Sequence, residues 1–225
     1  MIAIIAAMDS EVNAITNIME HCEKTTVSGI SIARGVISGK KVIVMKSGVG
    51  KVNAAMSTTI LLENFVIDKI INIGTAGGLK KEQEILDAVI SDRVVQHDFD
   101  TSPVDGEDGI GLYFDADEAL CKTCADVFAQ MNVRAHVGLV ATGDQFIAQE
   151  DQLSRLEETF PLAICAEMEA GAIASVATHY HVPFVVLRSL SDIAHRDDSH
   201  MDFLTYVEHA AARSATFCKE VMNFL

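Results

Sequence analysis

An α/β layered fold with a single ligand crevice is predicted by three observations on this 225-residue chain. Short β-branched runs alternate with stretches of helical spacing, the pattern of helices packed on a sheet. Residues that do not belong in a core, namely Glu11, Glu169 and Asp192, each follow such an apolar run. That is where strands end, and open α/β sheets bind ligands at strand carboxyl ends. Glycine-rich turns follow two further apolar runs, Lys41–Met45 and Lys69–Ile73, where backbone can approach a ligand closely.

The elements follow in order. Ile2–Met8 reads as a buried strand. Asp9 and Ser10 are helix N-cap residues, with Val12, Ile15 and Met19 at helical spacing behind them. Glu11 then lies in the first turn, where it either complements the helix dipole or faces the crevice. Ile30–Ala33 and Lys41–Met45 read as a hairpin turned at Ser38-Gly39. Lys46-Ser-Gly-Val-Gly-Lys51 opens a helix carrying Val52, Ala55, Met56 and Thr59. It lacks the Gly-to-Gly-Lys frame of a P-loop. Lys69–Ile73 is a second buried strand, ending in Gly74-Thr-Ala-Gly-Gly78.

Ala88–Val95 reads as a strand leading to His97 and Asp98, which are either site groups or a hydrogen-bonded pair anchoring a loop. Ser102–Gly111, rich in Gly, Asp and Pro, reads as a mobile surface loop. Asp115–Met131 is an amphipathic helix. Its Cys121 and Cys124 have redox spacing but share a face with Leu120, Ala125 and Phe128, which makes them core residues. His136–Thr142 is a strand followed by Gly143-Asp-Gln-Phe-Ile147, where Phe146 anchors a loop or walls a ring-shaped ligand. A helix spans Glu150–Thr159.

Leu162–Ala166 is a strand running into Glu167-Met168-Glu169 and a small-residue helix, Ala170–Thr178. Carboxylates between a buried strand and a buried helix are costly without partners, which favours function over solvated helix-start acids. Pro183–Val186 is a strand entering Leu187-Arg-Ser-Leu-Ser-Asp-Ile-Ala194. There Arg188 and Asp192 form either a structural ion pair or the acid of the crevice, since an Asp removed from water keeps its proton closer to neutral pH. Ala194–Asp202 reads as a polar loop. Its His195, Asp197, Asp198 and His200 match no familiar metal spacing, and neither do His179 and His181, so no metal and no cofactor is expected. Phe203–Leu225 is a final amphipathic helix with Phe203, Val207, Ala210, Ser214, Phe217, Val221 and Leu225 on one stripe.

Composition narrows the function. A formal charge of -15 argues against nucleic acid and against an anionic membrane surface as partners. The apolar opening segment is too short for a secretory leader, no run reaches membrane-spanning length, and the five cysteines form no even-numbered secreted framework. A single domain over 1–225 in the cytoplasm is expected.

An acid, a second carboxylate to activate water, and a third to hold ribose hydroxyls are the parts that glycosyl-bond cleavage needs. With those in view, the chain resembles the 5′-methylthioadenosine/S-adenosylhomocysteine nucleosidases of the nucleoside phosphorylase superfamily. The matching segments, in family order, are Ala7-Met-Asp-Ser-Glu-Val12, Lys46–Lys51, Gly74–Gly78, Gly143–Ile147, Ala166-Glu-Met-Glu-Ala170 and Arg188-Ser-Leu-Ser-Asp192.

The resemblance implies a three-layer α/β/α fold with a mixed central sheet. It implies that Asp192 protonates purine nitrogen 7, Glu11 activates water, and Glu169 binds the ribose hydroxyls with Met168 beneath the sugar. Phe146 would stack on adenine, and backbone groups of Ile147 would read its edge. Met8, Val49 and Phe203 would line the ribose and 5′-alkylthio region. Ser191 and Thr75 would support the site, Arg188 would hold the acidic groups, and Glu167 would join the substrate-binding set. A homodimer is implied, the segment after His97 completing the neighbour's pocket around a small nucleoside.

The chain departs from the family at Thr75, where Ser is common, and at Leu86-Asp87, where Gly-Asp is usual. The composition of Ser102–Gly111 leaves the 5′-substituent open. The alternatives are hydrolysis of a 5′-deoxyadenosine- or futalosine-type nucleoside, a phosphate-dependent phosphorylase, and a nucleoside binder. The absence of an arginine in the Glu11 loop favours water over phosphate. The trio Glu11, Glu169 and Asp192 favours an enzyme over a binder.

Overall fold

The computed structural model describes residues 1–195 and 199–225. In chain order the strands are β1 (Ile2–Ala6), β2 (Glu20–Val27), β3 (Ile30–Ile37), β4 (Lys40–Lys46), β5 (Lys69–Gly78), β6 (Ala88–Asp100), β7 (Ile110–Asp115), β8 (Ala135–Thr142), β9 (Ala163–Glu167) and β10 (Phe184–Ile193). The helices are α1 (Asp9–Thr16), α2 (Lys51–Asn64), α3 (Ser102–Asp105), α4 (Glu118–Gln130), α5 (Glu150–Thr159), α6 (Ala170–His179) and α7 (Ser199–Met222).

The strands form one 10-stranded mixed sheet. β1 runs parallel to β4 on one side and β5 on the other. Beyond β4 the sheet opens through antiparallel β3 to β2, whose residues are nearly all exposed. On the other side it curls: β5 pairs with both β9 and β10, and the path β10-β6-β8-β9-β5 therefore closes on itself. β7 hangs as a hairpin arm on β6. β10 is buried over its whole length, as a strand covered on both faces must be. Its register against β5 slips by one residue, Leu190 facing Ala76 and Asp192 facing Gly77, so Ser191 is the extra residue of a β-bulge.

Two apolar layers sandwich the sheet. On one face Ala54 and Leu61 of α2 and Ala170, Ile173, Ala174 and Ala177 of α6 pack on β-branched sheet residues. On the other face lie Ile15 of α1, Leu120, Cys124 and Phe128 of α4, and Phe217 and Val221 of α7. A third cluster seats Leu153 and Leu156 of α5 against Val95 and Leu139. The three-layer α/β/α architecture expected from the sequence is the one observed, and no helix among the described residues is long and apolar enough to cross a membrane.

Several local expectations need correction. α1 starts at Asp9 with Met8 as N-cap, so Asp9 and Ser10 lie in the first turn instead of capping it. α2 buries its small polar face, Ala54, Ser57 and Thr58, and leaves Val52 and Met56 exposed at 78% and 50%. β2 and β7 were not foreseen. β7 takes up Ile110 to Asp115, and α4 begins later than expected, at Glu118 with Asp117 accepting from the Leu120 amide. The Ser102–Gly111 stretch is a short helix and a 3-10 turn, anchored by the Gly109 carbonyl accepting from the Thr101 amide. The last helix starts at Ser199, inside the expected polar loop. Asp197 and Asp198, and the side chain of His200, lie outside the described residues. All five cysteines are free, and Cys124 is buried in the core as expected.

Candidate active site

The strand ends meet in one cleft, lined by Met8, Glu11, Val49, Thr75, Phe146, Glu167, Met168, Glu169, Arg188, Ser191, Asp192 and Phe203. Ile147 lines a small adjoining cavity together with Phe146 and Asp192. Residues from seven separate stretches of sequence thus converge on one place.

Glu11 reaches the cleft because α1 starts immediately after β1. Its side chain folds back over the helix start: Oε2 accepts from the Ala7 and Met8 amides at 2.9 and 3.0 Å, and Oε1 from the Thr75 amide at 3.1 Å. The dipole-complementing role and the site role are therefore filled by the same carboxylate. Burial pushes its pKa up, against Arg188 and the three amides, and the net shift is upward.

Glu167 and Glu169 diverge in fate. Glu167 is fully engaged: the Arg188 Nη2 donates to Oε2 at 2.6 Å, Thr142 donates its hydroxyl, and the Glu169 and Ala170 amides close around it. Among the described residues Glu169 accepts only from the Gly50 amide, at 2.9 Å. Burial first, and then the Glu167 charge, push Glu169 up to about 7.

Arg188 is 1% exposed. It also donates to Asn72 Oδ1 at 2.8 Å. Burial works against its charge, but Glu167, Glu169 and Glu11 outweigh it and hold the guanidinium above its ordinary value. The ion pair at this strand end is thus Arg188 with Glu167, not Arg188 with Asp192.

Asp192 stands apart. The Ser191 hydroxyl donates to Oδ1 at 2.8 Å, while Oδ2 is buried with no partner among the described residues. Burial pushes this carboxyl up to about 6, Ser191 opposing. Such a group holds a proton where an exposed aspartate would not.

Gly74 to Gly78, expected as a loop after the strand, instead continue β5. Its glycines make room for acids: a Cβ on Gly74 would sit 2.9 Å from Glu11 Oε1, and one on Gly77 would sit 3.0 Å from Asp192 Oδ2. At the mouth, Phe146 is 41% exposed and meets Phe203 edge-on at 5.4 Å between ring centroids.

Asp98 does not pair with His97, whose buried Nε2 has no partner; its carboxylate binds Lys51 and the Asp144 amide. Asn72 and Thr142 escaped the sequence reading. Asn72 left a signal, a lone amide inside the apolar run Lys69–Ile73. Among the described residues no cluster of His, Cys, Asp and Glu could hold a metal.

Comparison with known proteins gives a consistent setting. The family model described as the phosphorylase superfamily matches residues 1–223. The chain is 39% identical over 229 residues to the 5′-methylthioadenosine/S-adenosylhomocysteine nucleosidase of Bacillus cereus (strain B4264), covering 100% of this chain and 99% of that one. The crystal structure of the same-named nucleosidase from Neisseria meningitidis, in complex with methylthio-immucillin-A, superposes with a TM-score of 0.94 at 30% identity, covering 100% of this chain and 99% of that one. Futalosine hydrolase of Helicobacter pylori strain 26695 superposes with a TM-score of 0.93 at 30% identity over 100% of this chain and 97% of that one.

Proposed function

The chain belongs to the phosphorylase superfamily, among its 5′-methylthioadenosine/S-adenosylhomocysteine nucleosidases, and from that premise we propose how its residues carry out the reaction. It is an N-glycosyl hydrolase that cleaves 5′-methylthioadenosine and S-adenosylhomocysteine to adenine and the 5′-thio-substituted ribose. The observation that carries the mechanism is the unpartnered, buried oxygen of Asp192, across the same cleft from Glu11 and Glu169.

Protonated Asp192 donates its proton to nitrogen 7 of adenine, so the bond from nitrogen 9 to the anomeric carbon breaks with a neutral leaving group. Glu169 accepts from the ribose hydroxyls and steadies the oxocarbenium-like sugar, with Met168 beneath it. Glu11, fixed by three amides, takes a proton from the water whose oxygen joins the anomeric carbon. Phe146 stacks on the base and Ile147 reads its edge through backbone groups. Met8, Val49 and Phe203 enclose the 5′ side. Thr75 and Ser191 support the acids, and Arg188 with Glu167 forms the charged floor beneath them.

Water is favoured over phosphate because, among the described residues, the one guanidinium lining this cleft lies behind Gly74, engaged by Glu167 and Asn72, while carboxylates face the cleft. A homodimer is part of the proposal. Val52 and Met56 of α2, Phe99 of β6 and Val104 of α3 are exposed apolar residues, surface that a second copy would cover while the segment after His97 completes its pocket. We place this one-domain enzyme in the cytoplasm, serving methionine salvage.

The test is adenine release from 5′-methylthioadenosine with and without phosphate, and with a futalosine-type nucleoside as competitor because of the likeness to the futalosine hydrolase. Free methylthioribose at a rate indifferent to phosphate supports the reading. A sugar 1-phosphate overturns the role of Glu11, and preferential cleavage of the competitor moves the substrate. Sedimentation of the purified protein as a monomer would remove the dimer.

A further inference from the structure

Lys51, Asp98 and Asp144 close a ring just outside the cleft, joining the start of α2, the end of β6 and the loop after β8, which the chemistry above does not itself require to meet. The Lys51 ammonium reaches Asp98 Oδ1 at 2.5 Å, Asp98 Oδ2 accepts from the Asp144 amide at 3.0 Å, and Asp144 Oδ1 accepts from the Lys51 amide at 2.7 Å. The Lys51 and Asp98 side chains are 19% and 24% exposed, more sheltered than an ordinary surface ion pair. Burial pushes the Asp98 carboxyl up, but Lys51 and the Asp144 amide outweigh it and hold it below its usual value.

The ring answers a structural need of α2. That helix starts at Gly50, which brings no side chain to cap the orphan amides of the first turn. Asp144 supplies the missing cap from 93 residues away, and its charge complements the helix N-terminus. Gly50 adopts φ +90, and a Cβ there would lie 3.0 Å from Asp144 Oδ1, so the turn is shaped around this carboxylate.

What the ring touches is the substrate machinery. The Gly50 amide, next to Lys51, is the donor that holds Glu169. Asp144 stands two residues before Phe146, and Asp98 follows His97 near the end of β6. We propose that Lys51, Asp98 and Asp144 are positioning residues, which fix the ribose-binding carboxylate of Glu169 and the ring of Phe146 relative to each other across the cleft. The proposal rests on the nucleosidase reading of that cleft.

Hydrogen exchange and steady-state kinetics on the full-length enzyme test it, using Lys51→Met, Asp98→Asn, Asp144→Ala and Asp144→Asn. In Lys51→Met and Asp98→Asn, amides of the 144–147 segment should exchange at least about tenfold faster, though neither substitution lies in that segment. KM for 5′-methylthioadenosine should rise about tenfold or more while kcat changes less than about threefold, because misplacement weakens binding and leaves Asp192 and Glu11 alone. Asp144→Asn, which keeps an acceptor for the Lys51 amide, should recover most of what Asp144→Ala loses.

Unchanged exchange at 144–147 in a folded Lys51 or Asp98 variant would overturn the proposal. So would an unchanged KM beside a lowered melting temperature, which would make the ring a stability device alone. Exchange is read without ligand, so a native enzyme that released no adenine would sink the functional reading while the ring was still judged.

Discussion

Asp87 and Asp192 are both nearly inaccessible, at 6% and 1% exposed, and they sit close together in the sheet: the Leu190 amide donates to the Asp87 carbonyl. Their treatment is opposite. Asp87, just before β6, has its carboxylate bound by the Glu84 amide at 3.0 Å, His136 at 2.8 Å and Arg134 at 3.5 Å. Asp192, on β10, has Ser191 on one oxygen and nothing on the other. A buried carboxylate with all its partners holds loops together; one left short of partners is strained toward protonation. The same residue type is structure at the start of β6 and chemistry near the end of the neighbouring β10.

The comparison breaks most visibly at Asp192. Asp192→Asn should lower kcat by about a thousandfold through loss of the general acid, with binding of 5′-methylthioadenosine largely retained. Near-normal turnover would end the assignment. At Asp87 the expected pattern is reversed. Asp87→Ala leaves His136 and the Glu84 amide without their acceptor and should cost about 3 kcal/mol in urea unfolding, while kcat per folded molecule stays within about threefold. A variant as stable as the native enzyme would mean the partners around Asp87 contribute nothing.

Acid–base linkage sharpens the contrast without removing a contact of Asp87. Below about pH 4 Asp192 is protonated in both folded and unfolded chains. Between about pH 4 and about 6 the unfolded chain releases this proton while the folded one keeps it, so the native state loses stability as pH rises. Above about 6 the loss is constant, on the order of 3 kcal/mol. Asp192→Asn should therefore melt higher than the native enzyme at pH 8, with the gap closing by about pH 4. A lower melting temperature at pH 8 would contradict this. In the native enzyme kcat/KM should decline as pH rises through about 6, where Asp192 loses its proton.

The smallest effect concerns the turn beside Asp87. Leu86 has φ +71, in the left-handed region that a glycine would occupy without strain. Leu86→Gly should add about 1 kcal/mol of stability with no change in turnover. A loss would mean that burial of the Leu86 side chain outweighs the strain.

Legibility in the sequence followed the strength of the local signal. β1 and the first halves of β5 and β10 announce themselves as apolar runs, and the Ser38-Gly39 turn fits a two-residue hairpin with both residues at positive φ. β2 carries Glu20-His-Cys-Glu-Lys-Thr-Thr-Val27 on an exposed edge, with no apolar alternation to detect. The buried face of α2 is hard to read because it is made of Ala54, Ser57, Thr58 and Leu61, while Val52 and Met56 look outward. In the site, carboxylates after apolar runs were visible because burying them is expensive. Asp98 was visible only as a possible partner of His97, and its links to Lys51 and Asp144 were not, since charged residues far apart in sequence look alike until the fold brings them together. The division of labour between Glu167 and Glu169 was equally hidden, because it depends on Arg188 and Thr142 arriving from other strands.

The bulge at Ser191 has a consequence for how this chain can change over generations. In a regular strand neighbours point to opposite faces, so Ser191 and Asp192 could not share a hydrogen bond; the extra residue turns both to one side. Deleting a single codon between Ser189 and Ser191 would leave an apolar strand that still pairs with β5, yet would swing the acid out of the cleft. Insertions and deletions in this short stretch are therefore a route from catalyst to inert nucleoside binder that leaves the rest of the fold untouched, and relatives that have lost activity are best searched for there by length instead of by residue type.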